Sequence, residues 1–148
     1  MGQATVTVTN IDFVDVISSF GAGAERYSTA TFTIQPNPPS GITQNATGRL
    51  IVTADTDITF SFPAGSPCVP MGISHRQKKG RSDPCGKENF PKEHIVINEL
   101  PDGSATIKIR NKCRHKGAAD TFVWEVYIGI HDSAGTLGII DPDIENQS

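Results

Sequence analysis

The stretch TFVWEVYIGIH, residues 121–131, decides the fold class. Phe122, Trp124, Val126, Ile128 and Ile130 recur at every second position, with Val123, Glu125, Tyr127, Gly129 and His131 between them. Successive side chains of a strand point to opposite faces, so the first set is expected to face a core. The second set, Glu125 and His131 included, then lies on an outer face or in a groove on it.

The same period of two extends outward from this strand. It recurs at 4–10, 27–35, 47–53, 57–62, 94–100, 104–111 and 136–141, with 11–18 as a weaker candidate. Eight or nine short strands rich in β-branched residues, separated by turn signals and with no convincing helix, read as a single-domain antiparallel β-sandwich, Ig-like or jelly-roll-like. Leu100-Pro101-Asp102-Gly103-Ser104 and His131-Asp132-Ser133-Ala134-Gly135 are hairpin turns, since Pro presets φ and Gly accepts positive φ. Strands 94–141 are accordingly expected to form an antiparallel meander. Residues 64–93 break the period with Pro, Gly and charge, and are expected to be one long irregular loop.

The 148 residues fit one domain able to bury a core without staples. A formal net charge of −3 gives no pull toward nucleic acid or an anionic membrane. No apolar run is long enough to span a bilayer, and MGQATVTVTN lacks the basic and apolar regions of a signal peptide. A cytoplasmic location is therefore expected. Three cysteines, Cys68, Cys85 and Cys113, give an odd count without repeated spacing, which suits a reducing compartment.

No cofactor motif is present: there is no phosphate-cradling glycine loop and no G-x-S-x-G elbow. Cys68, His75, Cys85, His94, Cys113 and His115 match no finger or ribbon spacing, so no metal site is assigned, although zinc tying the long loop to the sheet is one alternative. The basic residues of that loop, His75, Arg76, Lys78, Lys79, Arg81, Lys87 and Lys92, read as solvated charge. Arg110, Lys112, Arg114, His115 and Lys116 form a second basic cluster.

The chemically distinctive dipeptide is Asp141-Pro142, directly after the apolar run Leu137–Ile140. An Asp carboxyl can attack its own carbonyl carbon to form a cyclic anhydride, and protonation of the comparatively basic proline nitrogen eases its departure. Alternatively, a carboxylate activates water for direct attack. Either route needs a carboxyl near the scissile carbonyl, a proton donor and oxyanion stabilisation. The bland alternative is that Pro142 ends a strand because it cannot donate to the ladder. Asp83-Pro84, in the polar loop, is an internal control without strand-held geometry.

The small all-β chain, the W-E-V strand, the D-S-A-G turn and the ending T-x-G-x-x-D-P-x-I-E-N-Q together resemble the DP-EP family of small bacterial proteins. The resemblance is firmest over 121–147. It implies a β-sandwich that cuts its own chain at Asp141-Pro142 and self-assembles, with Ile144, Glu145 and Asn146 as an anchored tail. The implied partner is the protein itself. The resemblance also implies a lysine that captures the Asp acyl group as an isopeptide. Val123 stands where that lysine is expected, which leaves Lys108 as the best substitute, with Lys112 behind it. Under this reading Glu125, Asp143 or Glu145 orients water or shuttles a proton, and His131 or Lys108 polarises or protonates. Carboxylates crowded in this way repel, and one of the group is expected to hold a proton. The competing class is a non-enzymatic binding or assembly module, using the basic loop or a sheet edge.

Overall fold

The computed structural model describes residues 1–12, 28–77, 90–112 and 122–147. Among these, the chain forms β1 (Gly2–Asp12), β2 (Thr29–Ile34), β3 (Ile42–Gln44), β4 (Leu50–Val52), β5 (Thr56–Phe62), β6 (Cys68–Gln77), β7 (Val96–Glu99), β8 (Ala105–Asn111), β9 (Phe122–Asp132), β10 (Leu137–Ile140) and β11 (Asp143–Asn146). They make two sheets packed face to face, the all-β sandwich expected from the alternation. Sheet one runs β2-β1-β5-β8-β7. In sheet two β9 carries β6 on one edge and both β10 and β11 on the other, and β4 and β3 follow outward from β11. Most pairings are antiparallel, while β1 with β5 and β11 with β4 are parallel.

The core follows the period of two. Val6 and Val8 of β1, Ile58 and Phe60 of β5, and Ile107 of β8 are buried on the inner face of sheet one. Trp124, Val126, Ile128 and Ile130 of β9 meet them from sheet two, joined by Leu50, Ile140 and Ile144. Each such side chain contributes about 1.5–3 kcal/mol by leaving water. Both expected hairpins form. Gly103 (φ 86°) and Gly135 (φ 82°) take the positive φ that the β7–β8 and β9–β10 turns demand.

Three expectations are corrected. Residues 64–93 are not one irregular loop, because Cys68–Gln77 forms β6, a ten-residue strand along β9. Its alternation is masked by Pro70 and Gly72, where the pairing shifts register. Strands 94–141 are not one meander: β7–β8 and β9–β10 are hairpins in different sheets, and the chain crosses the sandwich between them. The strand count exceeds eight or nine because β3, β6 and β11 lack the β-branched alternation of the others. Within the weaker candidate 11–18, Ile11 and Asp12 end β1, and 13–18 lie outside the described residues.

Two polar ties join the sheets. Asn111 of β8 and Asn146 of β11 are fully buried and exchange amide hydrogen bonds, Asn111 Nδ2 donating to Asn146 Oδ1 at 2.7 Å and Asn146 Nδ2 to Asn111 Oδ1 at 3.1 Å. Losing one partner would strand a buried amide at about 1–3 kcal/mol. At the seam between β2 and β3, Gln44 substitutes for a strand: its Oε1 accepts from Ile34 N–H (3.1 Å) and its Nε2 donates to Phe32 C=O (2.7 Å).

Arg110 of β8 grips Asp57 of β5 through Nε (2.8 Å) and Nη2 (3.2 Å). This hydrogen-bonded pairing holds the Asp57 carboxyl below its usual range, against the opposing effect of burial. The depressed value means the folded chain binds this proton less readily than the unfolded chain. The stabilisation is therefore present above the unfolded carboxylate value of about 4 and lost as pH falls through the folded one. Between pH 5 and pH 3 the unfolding free energy read from urea titrations should fall further in the wild type than in Asp57→Asn, by on the order of 1 kcal/mol. Parallel losses in both would show that Asp57 does not contribute to the acid limb.

Candidate functional site

β10 and β11 are two halves of one strand. Leu137 pairs with His131, Ile140 with Ile128, Asp143 with Glu125 and Asn146 with Phe122, one residue back on β9 for each residue forward. The register is unbroken, so Asp141 sits opposite Tyr127 and Pro142 opposite Val126. The Val126 N–H donates to Pro142 C=O at 3.1 Å, the ladder bond that this register requires. Its reciprocal is missing because proline has no N–H. Pro142 thus does not end the pairing as the strand-stop reading expected: it removes one donor from the middle of a sheet.

The other edge of this strand is covered on both flanks. Upstream, the Ser28 N–H donates to Ile139 C=O at 2.8 Å. Downstream, Ile144–Asn146 pair with Leu50–Val52 of β4. Backbone carbonyls alternate sides along a strand. Ile139 C=O points away from β9 and Pro142 C=O points toward it, so the Asp141 carbonyl points away from β9, between the two flanks. A cavity of about 660 Å³ opens there, lined by Ala30 and Phe32 of β2, Gly48 and Arg49 before β4, and Asp141 to Asp143.

Side chains alternate as well. Ile140, Pro142, Ile144 and Asn146 are buried, while Asp141, Asp143 and Glu145 are half-buried on the outer face. Asp143 lies directly opposite Glu125, an arrangement that is unfavourable for like charges. Tyr127 hydroxyl donates to Glu125 Oε2. Arg49 supplies the cation of the group, with Nη1 3.2 Å from Glu145 Oε1 and Nη2 3.5 Å from Asp143 Oδ2. The Arg49 Nε is buried and makes no hydrogen bond among the described residues. Each of these half-exposed pairs is worth about 0–1 kcal/mol. Together they place a guanidinium beside the carboxylates and at the wall of the cavity holding Asp141.

The structure therefore brings together Asp141, Pro142, Asp143, Glu145 and Glu125. His131 is set apart: it pairs with Leu137 at the far end of β10, about 13 Å along β9 from the position opposite Asp141. There it lines a different cavity with Cys68 and Leu100. Lys108 is exposed on the outer face of sheet one, paired between Thr59 and Val96, with the thickness of the sandwich between it and Asp141. Lys112, just past β8, is likewise absent from the Asp141 cavity. Arg49 and Tyr127 were not singled out from sequence. Tyr127 shares the Glu125 face by parity, so a signal existed. Arg49 reaches the acids only through the parallel β4–β11 pairing, which no local pattern announces.

Among the described residues, no group of three His, Cys, Asp or Glu side chains converges to hold a metal. Cys68 and His75 lie seven residues apart on β6, about 23 Å. Burial first, and Asp132 second, push the Cys68 thiol up to about 11. Cys85, Cys113, His115 and the control dipeptide Asp83-Pro84 lie outside the described residues. So do Lys78, Lys79, Arg81 and Lys87 of the loop's basic residues, while Arg110 of the second cluster is ion-paired with Asp57. No helix among the described residues is long and apolar enough to cross a membrane.

No protein-family model matches the chain, and no curated protein matches it. Among solved structures, the inclusion body protein PixA from Burkholderia cenocepacia J2315 has a similar fold, with a TM-score of 0.51 over 97% of this chain and 93% of that one, at 7% sequence identity.

Because the missing ladder bond comes from the proline ring alone, Pro142→Ala should restore it. The backbone N–H gained at position 142 is expected to donate to Val126 C=O and to exchange with solvent at least about a hundredfold more slowly than an exposed amide, as read by amide hydrogen exchange. Rapid exchange at 142 would show that the strand parts from β9 at this point.

Proposed function

We propose that this chain hydrolyses its own Asp141–Pro142 bond, as a self-processing peptidase acting once. The observation that carries the reading is the position of the dipeptide: held mid-strand in unbroken register, with the scissile carbonyl turned into a cavity walled by Arg49. Positioning of this kind is the main requirement. One turnover over hours corresponds to a barrier of about 23 kcal/mol, and orientation alone can supply about 7–11 kcal/mol.

In this proposal Asp141 contributes the scissile carbonyl, and its carboxyl either attacks that carbon or activates water. Asp143 and Glu125, paired across the ladder, orient the water and shuttle the proton that the proline nitrogen needs to leave. Tyr127 fixes Glu125 through its hydroxyl. Arg49 stabilises the negative charge that builds on the carbonyl oxygen in the tetrahedral intermediate. His131 and Lys108 have no part in the step, and the isopeptide to Lys108 is not carried forward. After cleavage, residues 142–147 would remain seated, since Ile144 and Asn146 are fully buried and Gln147 N–H donates to Val52 C=O at 2.8 Å.

A second reading, an assembly module, has its own support. β7 is the outer strand of sheet one and exposes all four of its residues, with Val96 and Ile97 each 39% exposed and the neighbouring Leu100 48%. Such an edge favours pairing with another chain. The fold neighbour is itself described as an inclusion body protein.

The test is an intact-mass time course under denaturing conditions, with protein incubated at neutral pH. The expected product pair is 1–141 and 142–148, and Asp141→Ala should form neither. Arg49→Met should slow the cut by about 10²–10³, the usual effect of removing one oxyanion donor. A single unchanged mass over days, with the protein folded, rejects self-cleavage and leaves the assembly reading.

A further inference from the structure

We infer that β7 is a self-association edge: two copies of this chain join β7 to β7, antiparallel, about a twofold axis at Asn98. The inference rests on the assembly reading above and commits it to one partner and one register.

The register inside sheet one shows which backbone groups face the edge. Leu100 N–H donates to Ser104 C=O at 2.9 Å, and Leu100 C=O accepts from Gly103 N–H at 3.0 Å, so Leu100 turns its backbone groups toward β8. Backbone groups alternate sides along a strand. Asn98 and Val96, paired with Thr106 and Lys108, turn the same way. Ile97 and Glu99 therefore turn their N–H and C=O groups away from β8. Among the described residues β7 pairs with β8 alone, and these four groups make no hydrogen bond. All four residues of β7 are exposed, and the strand carries no proline, lysine or bulge, features that keep an edge from pairing.

A second copy fits this edge in one register. With Ile97 opposite Glu99 of the second copy, the twofold axis passes at Asn98, and all four outward groups of each copy are bonded. Setting Ile97 against Ile97 would leave Glu99 C=O without a donor, because Ile95 N–H is already bonded to Lys92 C=O at 3.1 Å. Setting Glu99 against Glu99 would place like charges opposite each other. Larger slips run past the strand ends.

The side chains agree with that register. Val96 falls opposite Leu100 of the second copy, twice over by symmetry, which covers exposed apolar surface. The two Asn98 amides meet at the axis, where each can both donate and accept. The ends are complementary as well. The turn Lys92–His94, with two basic groups and one acid, comes toward the exposed Asp102 that follows β7 in the second copy. A parallel pair would instead bring like ends together. Such a contact is isologous, so it closes at two copies.

The experiment uses the full chain carrying Asp141→Ala, so that chain cutting plays no part. Sedimentation should show a monomer–dimer equilibrium with Kd below about 1 mM. Asn98→Asp changes an exposed side chain and sets two like charges opposite each other, so it should weaken the dimer by about fivefold. Asn98→Cys stands at a non-hydrogen-bonded pair, where Cα atoms about 4.5 Å apart are within disulfide reach. On oxidation it should give a dimer whose cross-link maps to position 98, with the parent chain oxidised in parallel to account for Cys68, Cys85 and Cys113. Self-linking of Ile97→Cys in place of Asn98→Cys overturns the register and with it the inference. A dimer unchanged by Asn98→Asp, with no cross-link at 98, overturns the edge and leaves the assembly reading standing. A monomer at every concentration up to about 1 mM overturns both.

Discussion

A proline in the interior of a sheet deletes one hydrogen-bond donor and leaves a carbonyl facing an empty position. Here that loss is confined to a single rung because the strand is gripped on both sides of it. Upstream, Leu137–Ile140 are paired with β9 and touched by Ser28; downstream, Asp143–Asn146 pair with β9 and Ile144–Asn146 also with β4. The flanks hold the register, so Asp141-Pro142 cannot relax into a loop. The burial of Ile140, Pro142, Ile144 and Asn146, the outward row of Asp141, Asp143 and Glu145, and the direction of the Asp141 carbonyl all follow from that continuity.

How much of this could be read from the chain depends on range. The β9 alternation was explicit, and it correctly placed Trp124, Val126, Ile128 and Ile130 in the core and Glu125 on the outside. The two hairpin turns were legible because glycine at positive φ is a local requirement. β11 was not legible. DIEN has a single β-branched residue, and its strand conformation is imposed from outside by β9 and β4, with the Asn111–Asn146 pair fixing its inner face. β6 was concealed by Pro70 and Gly72 for a related reason: a strand lying along β9 tolerates a bulge that a self-standing pattern would not show. The candidate site was half visible. Glu125, Asp141, Asp143 and Glu145 are close in sequence or in parity, while Arg49 is 94 residues from Asp143 and meets it through a parallel pairing that no short-range signal encodes.

The two open sides of the sandwich differ in character. Along the β2–β3 seam, backbone groups are matched by Gln44 and Ser28, and acids with one arginine line the space that is left. Along the β6–β8 side, aromatic and aliphatic residues dominate among the described residues.

The placement of β11 makes the surroundings of Asp141-Pro142 depend on both parts of sheet two. It lies between β9 and β4, and every strand it pairs with precedes it in the chain. Its contacts with β4 span more than ninety residues, the longest sequence separation among the described strand pairings, so their loop-closure cost must be met before they stabilise the fold. Until this last strand slides into place, sheet two is split, Asn111 has no amide to meet, and the Asp141 carbonyl faces no defined cavity. The geometry around Asp141-Pro142 is thus a property of the complete sheet, and the segment works as a clasp between its two parts.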